Sequence, residues 1–135
     1  MLKVEHIGIA VTDLSVSIPL FEKLLNTNCY KKETVESQQV ITAFLKSGDT
    51  KIELLQSLSE SGVIGKFIQK KGEGVHHLAF EVADIHEEVK RLQNEGFEML
   101  NTVPQKGADN KWVCFLHPKS TNGVLIEICS EIKPE

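Results

Sequence analysis

The sequence has no excess of positive charge. Fifteen Lys and Arg stand against nineteen Asp and Glu, a formal net charge of −4, whereas a nucleic-acid surface needs a basic footprint. No nucleic-acid partner is expected. It also has no apolar run of the roughly 20 residues that a membrane-crossing helix requires, and Met1-Leu2-Lys3-Val4 leads straight into a strand-like stretch. No membrane role is expected, and the cytoplasm is the expected compartment. The three cysteines, Cys29, Cys114 and Cys129, are odd in number and form no Cys-x-x-Cys pair; Cys114 and Cys129 sit in apolar strand-like runs and read as buried free thiols. No Gly-rich phosphate loop of the P-loop or dinucleotide type is present.

What is present is a globular balance, 41% hydrophobic and 25% charged over 135 residues, enough for one ordinary domain with a real core. The chain repeats itself. His6-Ile7-Gly8-Ile9-Ala10-Val11-Thr12-Asp13-Leu14 lies over His77-Leu78-Ala79-Phe80-Glu81-Val82-Ala83-Asp84-Ile85 at an offset of 71 residues. In both copies the apolar positions alternate, the mark of a strand, and an Asp then stands where a helix opens. Asp84 with Glu87 has capping-box spacing, and Val89 and Leu92 share a face that runs to Gly96. In the first copy Ile18, Phe21, Leu24 and Leu25 form the apolar stripe, and Pro19 inside it predicts a kink or a late start.

Strand-like runs follow near 28–35, 39–46 and 50–56 in the first copy, and near 97–103, 111–117 and 123–129 in the second. Phe44-Leu45 meets Phe115-Leu116 at the offset of 71, and Glu53 meets Glu127 at 74. The three extra residues fall within Pro118–Gly123, where a turn absorbs them without disturbing the strands. The pattern predicts an α+β chain, a single domain over 1–135. It holds a βαβββ module over about 1–58, a linking helix over about 61–71 with Val63, Ile64, Phe67 and Ile68 on one face, and a second module over about 73–130.

The same two positions in each module carry a residue type that binds metals. The first strand opens on His6 or His77, and the last centres on Glu53 or Glu127. Each Glu is flanked by apolar residues that point to the opposite face of its strand. A carboxylate buried alone there is costly, and a cation relieves the cost. Two imidazoles and two carboxylates suit Zn²⁺, Ni²⁺, Co²⁺, Mn²⁺ or Fe²⁺. His77 is the repeat partner of His6 and is taken as the ligand in preference to its neighbour His76. His86 is expected to be solvated, and His117 to lie in a loop.

At these residues the sequence resembles the vicinal-oxygen-chelate superfamily over nearly its whole length, and within it the methylmalonyl-CoA epimerase family. The similar stretches are His6-Ile7-Gly8-Ile9-Ala10-Val11, Gly48-Asp49-Thr50-Lys51-Ile52-Glu53-Leu54-Leu55, Gly72-Glu73-Gly74-Val75-His76-His77-Leu78-Ala79-Phe80, and Phe115-Leu116-His117-Pro118-Lys119-Ser120-Thr121-Asn122-Gly123-Val124-Leu125-Ile126-Glu127. The last is the most specific. The resemblance implies two modules forming a curved mixed sheet around one divalent ion, with His6, Glu53, His77 and Glu127 as ligands and a homodimeric assembly. It implies an acyl-CoA substrate, with Lys119 and Ser120 as substrate contacts and Glu127 as the base that removes and returns a C2 proton. Position 53 is Gln in some epimerases. Ala108-Asp109-Asn110-Lys111-Trp112 departs from the Gly-Gly-then-Lys pattern of many. Thr42 stands where some carry a second base, with Gln38 nearby, so the second base is unassigned. Glu53 is equally compatible with a glyoxalase I-type lactoylglutathione lyase, against which the Pro118–Gly123 insertion argues. A non-catalytic ligand-binding protein of the same fold is the remaining alternative, against which the filled quartet argues.

Overall fold

The computed structural model describes residues 1–134. Its strands are β1 (Lys3–Val11), β2 (Lys31–Val35), β3 (Val40–Ser47), β4 (Thr50–Ser57), β5 (Gly74–Glu81), β6 (Gln105–Gly107), β7 (Lys111–Leu116) and β8 (Ile126–Glu131); its helices are α1 (Leu14–Leu25), α2 (Val63–Lys71) and α3 (Ile85–Asn94). They form two compact units, His6–His76 and a second made of residues 1–5 with the chain from His77 onward. The α+β class and the βαβββ order are those expected from the repeat.

In the first unit the strand order is β2-β3-β4-β1. β2, β3 and β4 are antiparallel neighbours, and β1 runs parallel to β4. Asp13 caps α1 by accepting from the Ser15 amide at 2.9 Å, and the Leu14 amide donates to Gln56 Oε1 at 2.7 Å, which ties the helix start to β4. The helix begins at Leu14, with no late start at Pro19. Pro19 forgoes one backbone bond, and its ring lies on the exposed side of the helix. Val11, Leu14, Ala43, Leu45 and Leu54 form the core under α1, joined by Ile18, Phe21 and Leu25. Leu24, expected in that stripe, is 70% exposed; it sits one position off the buried line.

The other face of this sheet packs Ala10, Val40 and Leu55 against Ile64, Phe67 and Ile68 of α2. Val63, assigned to the same helical face, is exposed because it is the first residue of the helix. Gly65 seats α2 closely: a Cβ there would strike the backbone of Ser59 and Glu60.

In the second unit the order is β5-β8-β7-β6, with β5 parallel to β8 and the rest antiparallel. Asp84 caps α3, accepting from the amides of His86 and Glu87 at 3.1 and 3.2 Å. Val82, Ile85, Val89 and Leu92 pack on Cys114, Leu116 and Ile128. The strand expected over 97–103 is broken. Leu100 N donates to Phe115 O and Met99 bridges Leu116, but the regular strand comes later, as β6. Asn101 is the physical reason. Its side-chain oxygen accepts from the Phe115 amide at 2.9 Å and its amide nitrogen donates to Val103 O at 3.0 Å, so a side chain takes bonds that a backbone ladder would make.

Candidate metal centre

Each unit builds the same pair of side chains by the same register. In the first, β1 and β4 lie parallel with Gly8 opposite Glu53. His6, two residues before Gly8, reaches Glu53: Nδ1 and Oε2 are 3.1 Å apart. In the second, β5 and β8 lie parallel with Ala79 opposite Glu127. His77, two residues before Ala79, stands with Nε2 at 3.4 Å from Glu127 Oε1. All four residues are buried, at 4–7% exposure.

The apolar flanks explain why each Glu points where it does. Ile52 and Leu54 pack under α1, and Ile126 and Ile128 pack under α3. Each intervening Glu is therefore turned to the face away from its helix. The cross-strand partner repeats as well, Phe44 opposite Glu53 and Phe115 opposite Glu127. Phe115 also meets the His77 ring edge-on, centroids 6.0 Å apart. A buried carboxylate beside a buried imidazole, away from bulk water, is a donor set that fits a borderline divalent ion. The residues present fit the metal that the sequence implies.

The other sequence-selected residues lie elsewhere. Lys119 and Ser120 form the short 3₁₀ turn Pro118–Ser120. Lys119 Nζ is 2.6 Å from Glu98 Oε2, with its side chain 65% exposed. Ser120 Oγ donates to the His117 carbonyl at 2.9 Å and accepts from the Glu98 amide at 3.3 Å. The turn is thus held by its own unit's polar groups. Thr42 is 1% exposed and faces away from α1, between Leu55 and Glu33 on its neighbouring strands. His76 lies edge-on to Phe67 with centroids 5.0 Å apart; burial, then the charge of Lys71, lower its pKa from 6.5. His86 is exposed, as expected. Cys114 and Cys129 are buried free thiols, and burial pushes the Cys114 thiol up to about 11, away from nucleophilic use.

Sequence reasoning passed over the buried Glu5, at 3% exposure, and named Lys111, at 5%, only within the stretch that departs from the family pattern, without expecting its burial. Lys111 had a usable signal. It shares the strand alternation of Val113 and Phe115, which puts it on the same face as the repeat-matched aromatic.

Residues 5–115 match the sequence profile of the Glyoxalase/Bleomycin resistance protein/Dioxygenase superfamily. The chain belongs to this superfamily. A hypothetical protein from Bacillus halodurans C-125 superposes with a TM-score of 0.94 at 44% identity, over 98% of this chain and 96% of that one. A variant of methylmalonyl-CoA epimerase from Streptomyces coelicolor, in complex with 2-nitronate-propionyl-CoA, superposes with a TM-score of 0.93 at 32% identity, over 100% and 98%. An ethylmalonyl-CoA/methylmalonyl-CoA epimerase from Cereibacter sphaeroides is 35% identical over 93% of this chain and 96% of its own length. Among characterised relatives in the superfamily, the chain is thus similar to epimerases of malonyl-type thioesters, and its α+β fold is theirs.

Proposed function

We propose that the chain is a methylmalonyl-CoA epimerase, interconverting the two configurations at C2 of the acyl group, with His6, Glu53, His77 and Glu127 together holding one divalent ion. The observation that carries this reading is the buried His–Glu pair, built twice in the same register in a chain whose relatives include such epimerases. When bound, the ion would offset the negative charge that develops on the thioester oxygen as the C2 proton leaves.

The chain's own groups supply the rest. Glu127 is the base: its buried carboxylate takes the C2 proton and gives it back. Ala79, Val113, Cys129 and Phe115 form an apolar cluster on the same face of the second unit, which limits competition from water. Return of the proton to the opposite side of C2 needs a second proton carrier, and Thr42 is a poor base.

The test is hydrogen exchange. Metal-loaded protein is incubated with methylmalonyl-CoA in deuterated water, and the C2 proton is followed by NMR. Loss of that signal, abolished by chelator and restored by added metal, is the expected result. A protein that binds metal and leaves the C2 proton in place is not an epimerase of this thioester.

A further inference from the structure

Phe115 is the aromatic that stands beside Glu127. The two are cross-strand partners on β7 and β8, so their side chains share a face. The backbone brings them close. The Phe115 amide donates to Asn101 Oδ1 at 2.9 Å, and the Phe115 carbonyl accepts from the Leu100 amide at 2.8 Å. Both of its backbone groups therefore point away from β8. That makes Phe115 and Glu127 a non-hydrogen-bonded pair, the kind with Cα atoms only about 4.5 Å apart and side chains in close approach. The ring also meets His77 edge-on, with centroids 6.0 Å apart. Phe115 is thus clamped from one side by the 99–101 segment and set against two residues of the candidate metal centre on the other.

Burial separates Phe115 from its surroundings. Ala79 and Cys129 in the same cluster are fully buried and Val113 nearly so, while Phe115 is only partly buried. Its counterpart in the first unit, Phe44, is fully buried, with the Lys31 ammonium over its ring. An aromatic needed only for packing would be sealed as Phe44 is. Within its cluster, Phe115 is the member that leaves apolar surface open on the face of Glu127.

We propose that Phe115 is the specificity-determining residue of this site, its ring walling the space beside Glu127 that the alkyl group on C2 enters and so limiting the size of that group. The proposal rests on the epimerase reading for the identity of the thioester. Carbon C2 carries four groups. The thioester and the carboxylate have oxygens suited to a cation, and the hydrogen is the one that Glu127 takes. The alkyl group has no polar atom to offer and lies one bond from the carbon that Glu127 must reach. An apolar wall next to that carboxylate is where it loses least on leaving water, and a rigid ring held on both sides cannot retreat from a longer chain.

The test compares two thioesters that differ in that alkyl group. C2 hydrogen exchange and binding by calorimetry are measured for methylmalonyl-CoA and butylmalonyl-CoA on metal-loaded wild type, Phe115→Leu and Phe115→Ala, each checked for a cooperative melting transition. Should Ala unfold the chain, Phe115→Met replaces it. Wild type is expected to favour methylmalonyl-CoA by about tenfold or more in kcat/KM for exchange. Phe115→Ala is expected to shrink that ratio by about tenfold, and Leu by less. Phe44→Leu, the sealed counterpart, is expected to leave the ratio where it was, whatever it does to each rate. Equal losses on both thioesters in the Phe115 variants, or a Phe44→Leu that shrinks the ratio as much, overturn the assignment. A wild type that exchanges neither C2 proton but binds the methyl thioester more tightly, with Phe115→Ala evening the two affinities, keeps the wall and ends the epimerase reading. Normal exchange with a ratio that no Phe115 variant moves does the reverse, and binding of neither thioester ends both.

Discussion

The two units keep one frame and vary nearly everything around it. In both, a parallel strand pair places His two residues before the position that faces Glu, and a Phe lies across from that Glu. Beyond the frame they part. Phe44 is fully buried, near Tyr30 and under the Lys31 ammonium, whereas Phe115 lies against His77 itself. β3 and β4 are joined by the tight turn at Gly48 and Asp49, but β7 and β8 by a longer segment containing the Pro118–Ser120 turn. The first unit ends in a five-residue edge strand, and the second in a three-residue strand preceded by the Asn101 interruption. Strand register cannot drift without turning Glu out of its face, so the frame is held, while turns and edges are free to specialise.

The sharpest way to break the comparison is to neutralise each Glu in turn. If the frame is symmetric only in holding metal and the chemistry belongs to the second unit, the two variants must differ. Glu127→Gln is expected to lower C2 exchange by about 10² to 10⁴, the usual range for removing a general base. Glu53→Gln keeps a ligand type found in some epimerases and is expected to retain exchange within about tenfold, a factor worth about 1.4 kcal/mol. Equal losses in the two variants, measured at saturating metal, would leave Glu127 a ligand and no base.

A second comparison concerns the sheet edges. Asn101→Ala leaves the part-buried Phe115 amide without its 2.9 Å acceptor, at an expected cost of about 1 to 3 kcal/mol in urea unfolding. Thr34→Ala on β2 removes an exposed side chain from a continuous ladder and is expected to stay within about 0.5 kcal/mol. Similar costs for the two would mean that the Asn101 bonds are replaced by water and that the edge is no special construction.

The same division between frame and periphery decides what was legible in the sequence. His6 with His77 and Glu53 with Glu127 were visible because repetition at matched offsets is a signal that one residue alone cannot give. The caps at Asp13 and Asp84 and the breaker at Gly72 were legible because each acts within a turn of its own position. The irregular stretch after α3 was not: Asn101 competes for an amide fourteen residues away, and no local pattern records that. Leu24 and Val63 show the limit of apolar periodicity, which gives a face to within about one position while burial depends on where the neighbouring element ends. Lys111 was named in the Ala108–Trp112 stretch, but its burial was not legible, because a lysine in a strand is ordinarily solvent-facing. Its burial follows from its row in the sheet, set by partners on β6 and β8.

The smallest expected effect concerns Lys119 in the Pro118–Ser120 turn. Glu98 is exposed, and its carboxyl is held below the ordinary 4.5 chiefly by the hydrogen bond from Lys119, with slight burial opposing and the charges of Lys119 and His117 assisting. A carboxyl depressed in the folded chain adds stability that is present above its unfolded value and is lost as pH falls through its folded value. Lys119→Met is expected to raise the Glu98 titration, followed by NMR, toward the ordinary value and to remove most of that small acid-side loss of stability, leaving the melting transition near neutral pH almost unmoved. Saturating malonyl-CoA is expected to leave the Glu98 titration of the wild type in place, because Lys119 is already engaged at 2.6 Å. An upward shift of Glu98 on adding the thioester would mean that the substrate draws Lys119 away, and would make the turn a substrate contact.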